Sequence, residues 1–236
     1  MTRLGTLWGV GVGPGDPQLL TLKAIQILQR STVIAYVVDD KGQSYARNTA
    51  QAHFPASVRE LPLHFSMSSQ RAQRLAARAE AALQVSELLS AGQDVTFITE
   101  GDPLLYSTFQ HLLAGLTVAA PVEICPGVSA LTASAAEARF SLAVEQEQMV
   151  VAAANSETCR QLPVWLAQFE VIVLFKVHRH LAEVHALLAQ SDLISRAVLV
   201  QRASLAGQTF VTELEDWDGS SPPYFSMLLL RSRRTP

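Results

Sequence analysis

The stretch Gly9-Val10-Gly11-Val12-Gly13-Pro14-Gly15-Asp16-Pro17 runs from the end of an apolar, strand-like segment into a helical pattern. Glycine has no Cβ and adopts positive φ cheaply, so a loop of this composition lets a ligand approach the backbone closely. Two common templates do not fit. A dinucleotide fingerprint needs GxGxxG, but counting from Gly9 puts Pro14 at the sixth place and counting from Gly11 puts Asp16 there. A phosphate-cradling loop needs Gly-Lys-Ser/Thr, which is absent. Prolines remove amide donors and a carboxylate repels an anion, so the loop is ill suited to phosphate. The alternative to a ligand loop is a tight strand-to-helix turn in which Asp16 caps a helix begun at Pro17.

Two further turns have the same setting. Thr99-Glu100-Gly101-Asp102-Pro103 and Cys125-Pro126-Gly127-Val128-Ser129-Ala130 each follow an apolar run and open a helical pattern. Three glycine turns at strand ends are where open α/β sheets bind ligands. Short runs rich in Val, Ile, Leu and Phe alternate with Ala- and Leu-rich segments, the signature of βα units around a largely parallel sheet, and the fold class is α/β. Strands are expected at 7–11, 32–37, 58–61 and 95–99, with helices at 18–29, 45–52, 72–89 and 106–114. A second set follows the break at Gly115, Thr117 and Pro121: strands at 118–124, 149–153, 171–175 and 198–201, and helices at 130–138, 161–168 and 181–189. The segments 209–214 and 224–230 follow each other without a helix, which predicts an antiparallel pair. Two lobes are expected, 1–115 with a mainly parallel sheet and 116–236 with a mixed one.

Composition narrows the function. With 236 residues, 49% hydrophobic and 17% charged, the chain can bury one large core or two modest ones. Its apolar runs are far shorter than the roughly 20 residues needed to span a bilayer. Residues 1–6 lead into a strand with no apolar signal region, so the expected location is cytoplasmic. A net charge of −3 without a basic stripe argues against nucleic acid. Cys125 and Cys159 stand apart, in no spacing that holds a metal, and read as reduced structural thiols.

Together the three turns resemble the tetrapyrrole methylase family. GVGPGDPQLLTLKA, ending at Ala24, is similar to the family's GxGPGDPxLLTxKA. EGDPLLYSTF at 100–109 is similar to its GDPxxY segment, and PGVSA at 126–130 to its PGxSS/PGxSA turn. The resemblance implies a two-lobed fold, usually a homodimer, with S-adenosylmethionine bound in the cleft between lobes and a small-molecule tetrapyrrole as substrate. Carried over by position, Pro14, Gly101, Asp102, Ser129, Ala130, Lys176 and Ala203 would contact the cofactor. Gly13, Tyr106, His178 and Arg179 would contact the tetrapyrrole. EGDPLLYSTF and the segment Leu174-Phe175-Lys176-Val177-His178-Arg179 resemble the branch that methylates C-20 of precorrin-2; another precorrin ring position is the alternative. That branch has an FPM triplet after its third strand, where this chain has Phe65-Ser66-Met67.

Such a transfer needs alignment more than a dedicated nucleophile, because the donor is already activated; proximity is worth up to about 7–11 kcal/mol. Asp102 is placed to meet a sulfonium or amino group, or else is a helix N-cap beside Pro103. Tyr106, at i+4, would share its helical face and touch substrate, or else simply packs. Glu100 reads equally as a site carboxylate or as a solvated strand-end charge. A multiply anionic substrate calls for cations, here Lys176, His178, Arg179 and His180 at one strand end, or Arg47, Arg59, His64, Arg71 and Arg74 around the first-lobe loops. Two rivals stay open: a nicotinamide oxidoreductase using Asp39 or Asp40, and a non-catalytic tetrapyrrole-binding protein of the same fold.

Overall fold

The computed structural model describes residues 3–66, 70–205 and 210–233. The chain divides into two units, Met1–Ala130 and Leu131–Pro236.

In the first unit the elements run β1 (Leu7–Gly11), α1 (Leu22–Arg30), β2 (Val33–Val38), α2 (Tyr45–Ala50), β3 (Arg59–His64), α3 (Arg71–Ser90), β4 (Val95–Thr99), α4 (Phe109–Gly115) and β5 (Val122–Cys125). They form one sheet in the order β3-β2-β4-β1-β5, with every pairing parallel. Parallel strands covered on both faces become near-continuous apolar runs. β4 is buried at all five positions for this reason. Leu7, Val85, Leu89, Phe97 and Phe109 pack on one face, and Val10, Ala24, Leu28, Ile34 and Ile98 on the other. β3 is an edge strand, which suits Pro62 because a missing N–H costs least at an edge.

Three expectations change here. The helix expected at 18–29 is split: Asp16 Oδ1 accepts from Gln18 N–H at 2.8 Å over a single turn, Pro17–Leu19, and Thr21 Oγ1 then accepts from Ala24 N–H at 3.1 Å to start α1. Two caps so close give two helical pieces. The strand expected at 118–124 begins only at Val122, and it pairs with β1 (Leu7↔Val122) rather than with the second sheet. The first unit therefore extends to Ala130 and not to 115, because β1 needs a partner on its second edge.

Helix α2 fixes the loops around it. Glu100 Oε1 accepts from Ala46 N–H at 3.0 Å, and Thr49 Oγ1 donates to Gly15 O at 3.3 Å. Arg47 grips Glu60 through Nε at 2.5 Å and Nη2 at 2.9 Å, while Tyr36 OH donates to Glu60 Oε2 at 2.6 Å. The hydrogen bond from Arg47 holds the Glu60 carboxyl below the usual carboxylate range. Glu100 is thus tied to a backbone amide rather than solvated. Burial pushes its carboxyl above the usual range, the bond from Ala46 opposing it.

In the second unit α5 (Ala130–Glu137) spans the division and is followed by β6 (Met149–Ala153), α6 (Ser156–Gln168), β7 (Val171–Phe175), α7 (Leu181–Gln190), β8 (Ala197–Gln201), β9 (Phe210–Glu213) and β10 (Ser226–Arg231). The sheet is mixed, in the order β6-β7-β10-β8-β9. β6 and β7 are parallel, while β10 is antiparallel to both β7 and β8, and β9 to β8. The two C-terminal strands consequently do not pair with each other, contrary to the expectation from their adjacency; β8 lies between them. β10 is buried at five of its six positions, and a centre place with partners on both edges suits such a strand. α6 starts at Ser156 instead of 161 because Asn155 Oδ1 accepts from Thr158 N–H at 2.9 Å, with Pro163 inside the helix. Among the described residues no helix is long and apolar enough to cross a membrane.

Two outcomes follow. A fragment ending at Ala130 is expected to melt cooperatively by circular dichroism, whereas one ending at Gly115 should lose that transition, since it strips β1 of a paired neighbour; equal behaviour would put β5 outside the first folding unit. Glu100→Gln keeps the acceptor for Ala46 N–H and removes a desolvated charge. Because the folded pKa is raised, the wild-type carboxyl favours folding most below its unfolded value and loses that as pH rises through the folded one. The variant should gain in relative Tm as pH goes from acid to neutral, and a pH-independent difference would contradict the burial of this group.

Candidate cofactor and substrate site

In the first unit the three glycine turns leave the C-terminal ends of adjacent strands, in the order β4, β1, β5. Gly13 O accepts from Gly101 N–H at 2.7 Å, and Thr99 O from Val12 N–H at 3.0 Å, so the β1 and β4 turns continue the pairing past the strand ends. A Cβ on Gly11 would lie 2.5 Å from Gly101 O and 2.6 Å from Gly127 N, and one on Gly127 only 2.1 Å from Gly101 O. These backbones touch where no side chain fits. Gly101 has φ +67, and a Cβ there would lie 3.7 Å from Ala130 N and 4.0 Å from Ser129 Cα. Asp102 bridges two turns: its Oδ1 accepts from Leu104 N–H at 2.8 Å and its Oδ2 from Gly127 N–H at 3.1 Å. Gly13, Pro14, Gly101, Asp102, Ser129 and Ala130 are therefore carried on three turns at one end of the sheet. The groups on offer are backbone amide donors, interrupted by prolines at 14, 17, 103 and 126, and one carboxylate acceptor. That set suits a cationic ligand better than a polyphosphate.

The β4 turn differs from the expectation of a helix at 106–114. Residues 102–108 are irregular, Tyr106 has φ 53, and α4 begins at Phe109. Ser107 Oγ pairs with Thr99 Oγ1 at 2.9 Å and accepts from Phe109 N–H at 3.1 Å, which delays the helix. Asp102 is consequently no helix cap, and Tyr106 does not share a helical face with it. Tyr106 is instead 43% exposed on a loop beside Leu104, 59% exposed. Leu104 was not singled out from sequence; its signal is an apolar pair, Leu104-Leu105, in a loop that Pro103 opens.

In the second unit the ends of β7 and β8 flank the start of β10, with Met227 opposite Phe175 and Ser226 opposite Gln201. Lys176 follows β7 with φ 56, ahead of the single turn Val177–Arg179. His178 Nδ1 lies 3.1 Å from Lys176 O, and its ring meets that of Tyr224 edge-on at 5.2 Å. Burial first, then the charge of Arg179, holds His178 below the usual imidazole range. It offers a neutral ring at neutral pH, not the cation expected. Arg179 is exposed. His180 faces Glu183 across 3.5 Å and is not part of the strand-end cluster. Ala203 lies between Arg202 (φ 51) and Ser204 (φ 63), in a turn tied by Arg202 N–H to Phe225 O at 2.7 Å. Lys176, His178 and Ala203 thus gather near Tyr224 and Phe225, two aromatics that the strand expected at 224–230 had absorbed.

Other candidates resolve differently. Arg47 is committed to Glu60, while Arg59, His64 and Arg71 are exposed and Arg74 half-buried. Asp39 Oδ1 accepts from Lys41 and Gln43 N–H at 2.9 and 2.8 Å, closing its own turn instead of presenting a carboxylate to a ribose. Met67 of the Phe65-Ser66-Met67 triplet lies outside the described residues.

The family model for tetrapyrrole (corrin/porphyrin) methylases matches residues 6–218. The cobalamin biosynthesis protein CobIJ of Mycobacterium tuberculosis is 34% identical over 99% of this chain, which spans only 47% of that relative's length. The cobalt-precorrin-2 C(20)-methyltransferase of Salmonella typhimurium is 32% identical, with 97% of each chain covered. The precorrin-2 C(20)-methyltransferase of a Sinorhizobium species is 31% identical, covering 96% of this chain and 95% of the relative. Among solved structures, the cobalt precorrin-4 methyltransferase CbiF superposes with a TM-score of 0.71 at 20% identity, covering 96% of this chain and 94% of its own. The methyltransferase CobJ gives 0.72 at 18% identity, covering 98% and 97%. The turns that pack backbone against backbone in the first unit are the segments that carried the resemblance, and the chain belongs to the tetrapyrrole (corrin/porphyrin) methylase family.

Proposed function

We propose that this chain transfers a methyl group from S-adenosylmethionine to C-20 of precorrin-2 or its cobalt complex, in cobalamin biosynthesis, and that it works as a homodimer. The observation that carries this reading is end-to-end similarity to two C(20)-methyltransferases, at 32% and 31% identity with at least 95% of every chain covered. The solved structure of a uroporphyrin-III C-methyltransferase from Thermus thermophilus, a fold relative at TM-score 0.67, was obtained with S-adenosyl homocysteine, which supports the choice of donor.

When bound, S-adenosylmethionine supplies a methyl group already activated on a sulfonium. The residues assigned to it are Pro14, Gly101, Asp102, Ser129 and Ala130 in the first unit, and Lys176 and Ala203 in the second. Asp102 is the one carboxylate among them. Two backbone amides orient it, so it meets a positive ligand without reorganising. Gly13, Tyr106, His178 and Arg179 are assigned to the tetrapyrrole. Leu104 and Tyr106 offer the exposed apolar surface that a flat macrocycle needs, and Arg179 a charge for its carboxylates. The chain's contribution is binding, alignment and exclusion of water, consistent with a nucleophilic carbon that belongs to the substrate.

Precorrin-2 incubated with the protein and methyl-labelled cofactor is expected to give one product with the label on C-20, read by mass and carbon NMR; a label at another ring carbon would remove the branch assignment and leave the family intact. Asp102→Ala is expected to weaken S-adenosylhomocysteine binding by about 1.5–3 kcal/mol in calorimetry, the worth of a charge-assisted hydrogen bond. Arg179→Ala should leave that affinity alone and raise KM for the tetrapyrrole, less so in high salt, which screens exposed charges beyond about 10 Å at 0.1 M. Equal cofactor affinities in wild type and Asp102→Ala would reduce Asp102 to a loop tie.

A further inference from the structure

Cys159 on α6 and His180 and Glu183 at the start of α7 come from elements that no spacing in the chain connects. In the fold the Cys159 thiol, a His180 ring nitrogen and a Glu183 carboxylate oxygen lie within 4.8 Å of one another. Among the described residues no other group of three such side chains is so arranged. His180 Nδ1 and Glu183 Oε2 are 3.5 Å apart. A tetrahedral zinc ion, with bonds of about 2.3 Å to sulfur and about 2.0–2.2 Å to nitrogen and oxygen, spaces its ligand atoms roughly 3.5 Å apart. His180 and Glu183 already stand at that spacing, and their side chains are 25% and 52% exposed, so packing does not lock them away from the Cys159 thiol.

We propose that Cys159, His180 and Glu183 form a zinc site in the second unit, with water in the fourth position. The donor set of one thiolate, one imidazole and one carboxylate is that of a borderline-soft divalent ion, and it disfavours magnesium or calcium, which take oxygen alone. Burial of Cys159 beside the apolar Leu162, Leu181 and Val184 gives the site a dry floor, and the exposed Glu183 gives it an entry. Binding replaces the thiol proton with the metal–sulfur bond and releases that proton to solvent. The ion would clip α6 to the turn that carries Lys176 and His178, so its effect reaches the strand end through His180 without touching it.

The test uses the full chain, stripped of metal by chelation and free of tetrapyrrole, titrated with zinc by calorimetry and with cobalt(II) as a spectroscopic probe. One zinc per chain, a thermal shift on binding and a thiolate-to-cobalt charge-transfer band are expected. Cys159→Ser should abolish the band while Cys125→Ser keeps it, and His180→Ala and Glu183→Gln should each weaken zinc by at least about tenfold. The last two sites are partly exposed, so these variants remain informative even if the change at buried Cys159 impairs folding. Substoichiometric zinc in the wild type, a band that survives in Cys159→Ser, or unchanged affinity in both His180→Ala and Glu183→Gln would overturn the proposal.

Discussion

Everything at the candidate site depends on the direct contact of three backbones at Gly11, Gly101 and Gly127. Neighbouring strands lie about 4.8 Å apart, a distance that side chains normally bridge above and below the sheet. Past the ends of β4, β1 and β5 the turns keep that closeness with nothing between them, and a Cβ on Gly127 would sit 2.1 Å from Gly101 O. The bond from Gly101 N–H to Gly13 O and the two amides on Asp102 then lock the turns into one piece. Because the backbone is spent on these contacts, Asp102 is held in place without a helix to hold it.

The same economy of hydrogen bonds explains the surroundings. α2 is short, yet its Ala46 amide and Thr49 hydroxyl hold the β4 and β1 turns from the side. Arg47, which by charge alone could have met an anionic substrate, is gripped at two nitrogens by Glu60 and serves the fold. In the second unit the place of β10 between β7 and β8 brings the turns after both strands to the aromatic pair Tyr224 and Phe225. The cationic end imagined from the sequence becomes a mixed one, with a neutral His178 against Tyr224 and Arg179 left in solvent.

The α/β class, the three glycine turns, the Asp16 cap and most strands could be read from the chain, because each depends on local chemistry: apolar periodicity, the conformational freedom of glycine, and short side chains that bond their own backbone. The turns also carried the family resemblance, since their residues are limited by backbone contact and not by interchangeable packing. What the chain alone left undecided was every question of partnership. β5 belongs to the first sheet because β1 has a second edge to fill, and β8 separates β9 from β10 because β10, buried at five of its six positions, takes a partner on each edge. The helix after β4 waits for Phe109 because Thr99, from the strand before it, engages Ser107. Arg47 on α2 meets Glu60 on β3, and Cys159 on α6 meets His180 and Glu183 at the start of α7. Local propensity cannot rank such pairings, because their energy comes from burial and hydrogen bonds between segments far apart in the chain, which exist only after the strands have taken their order.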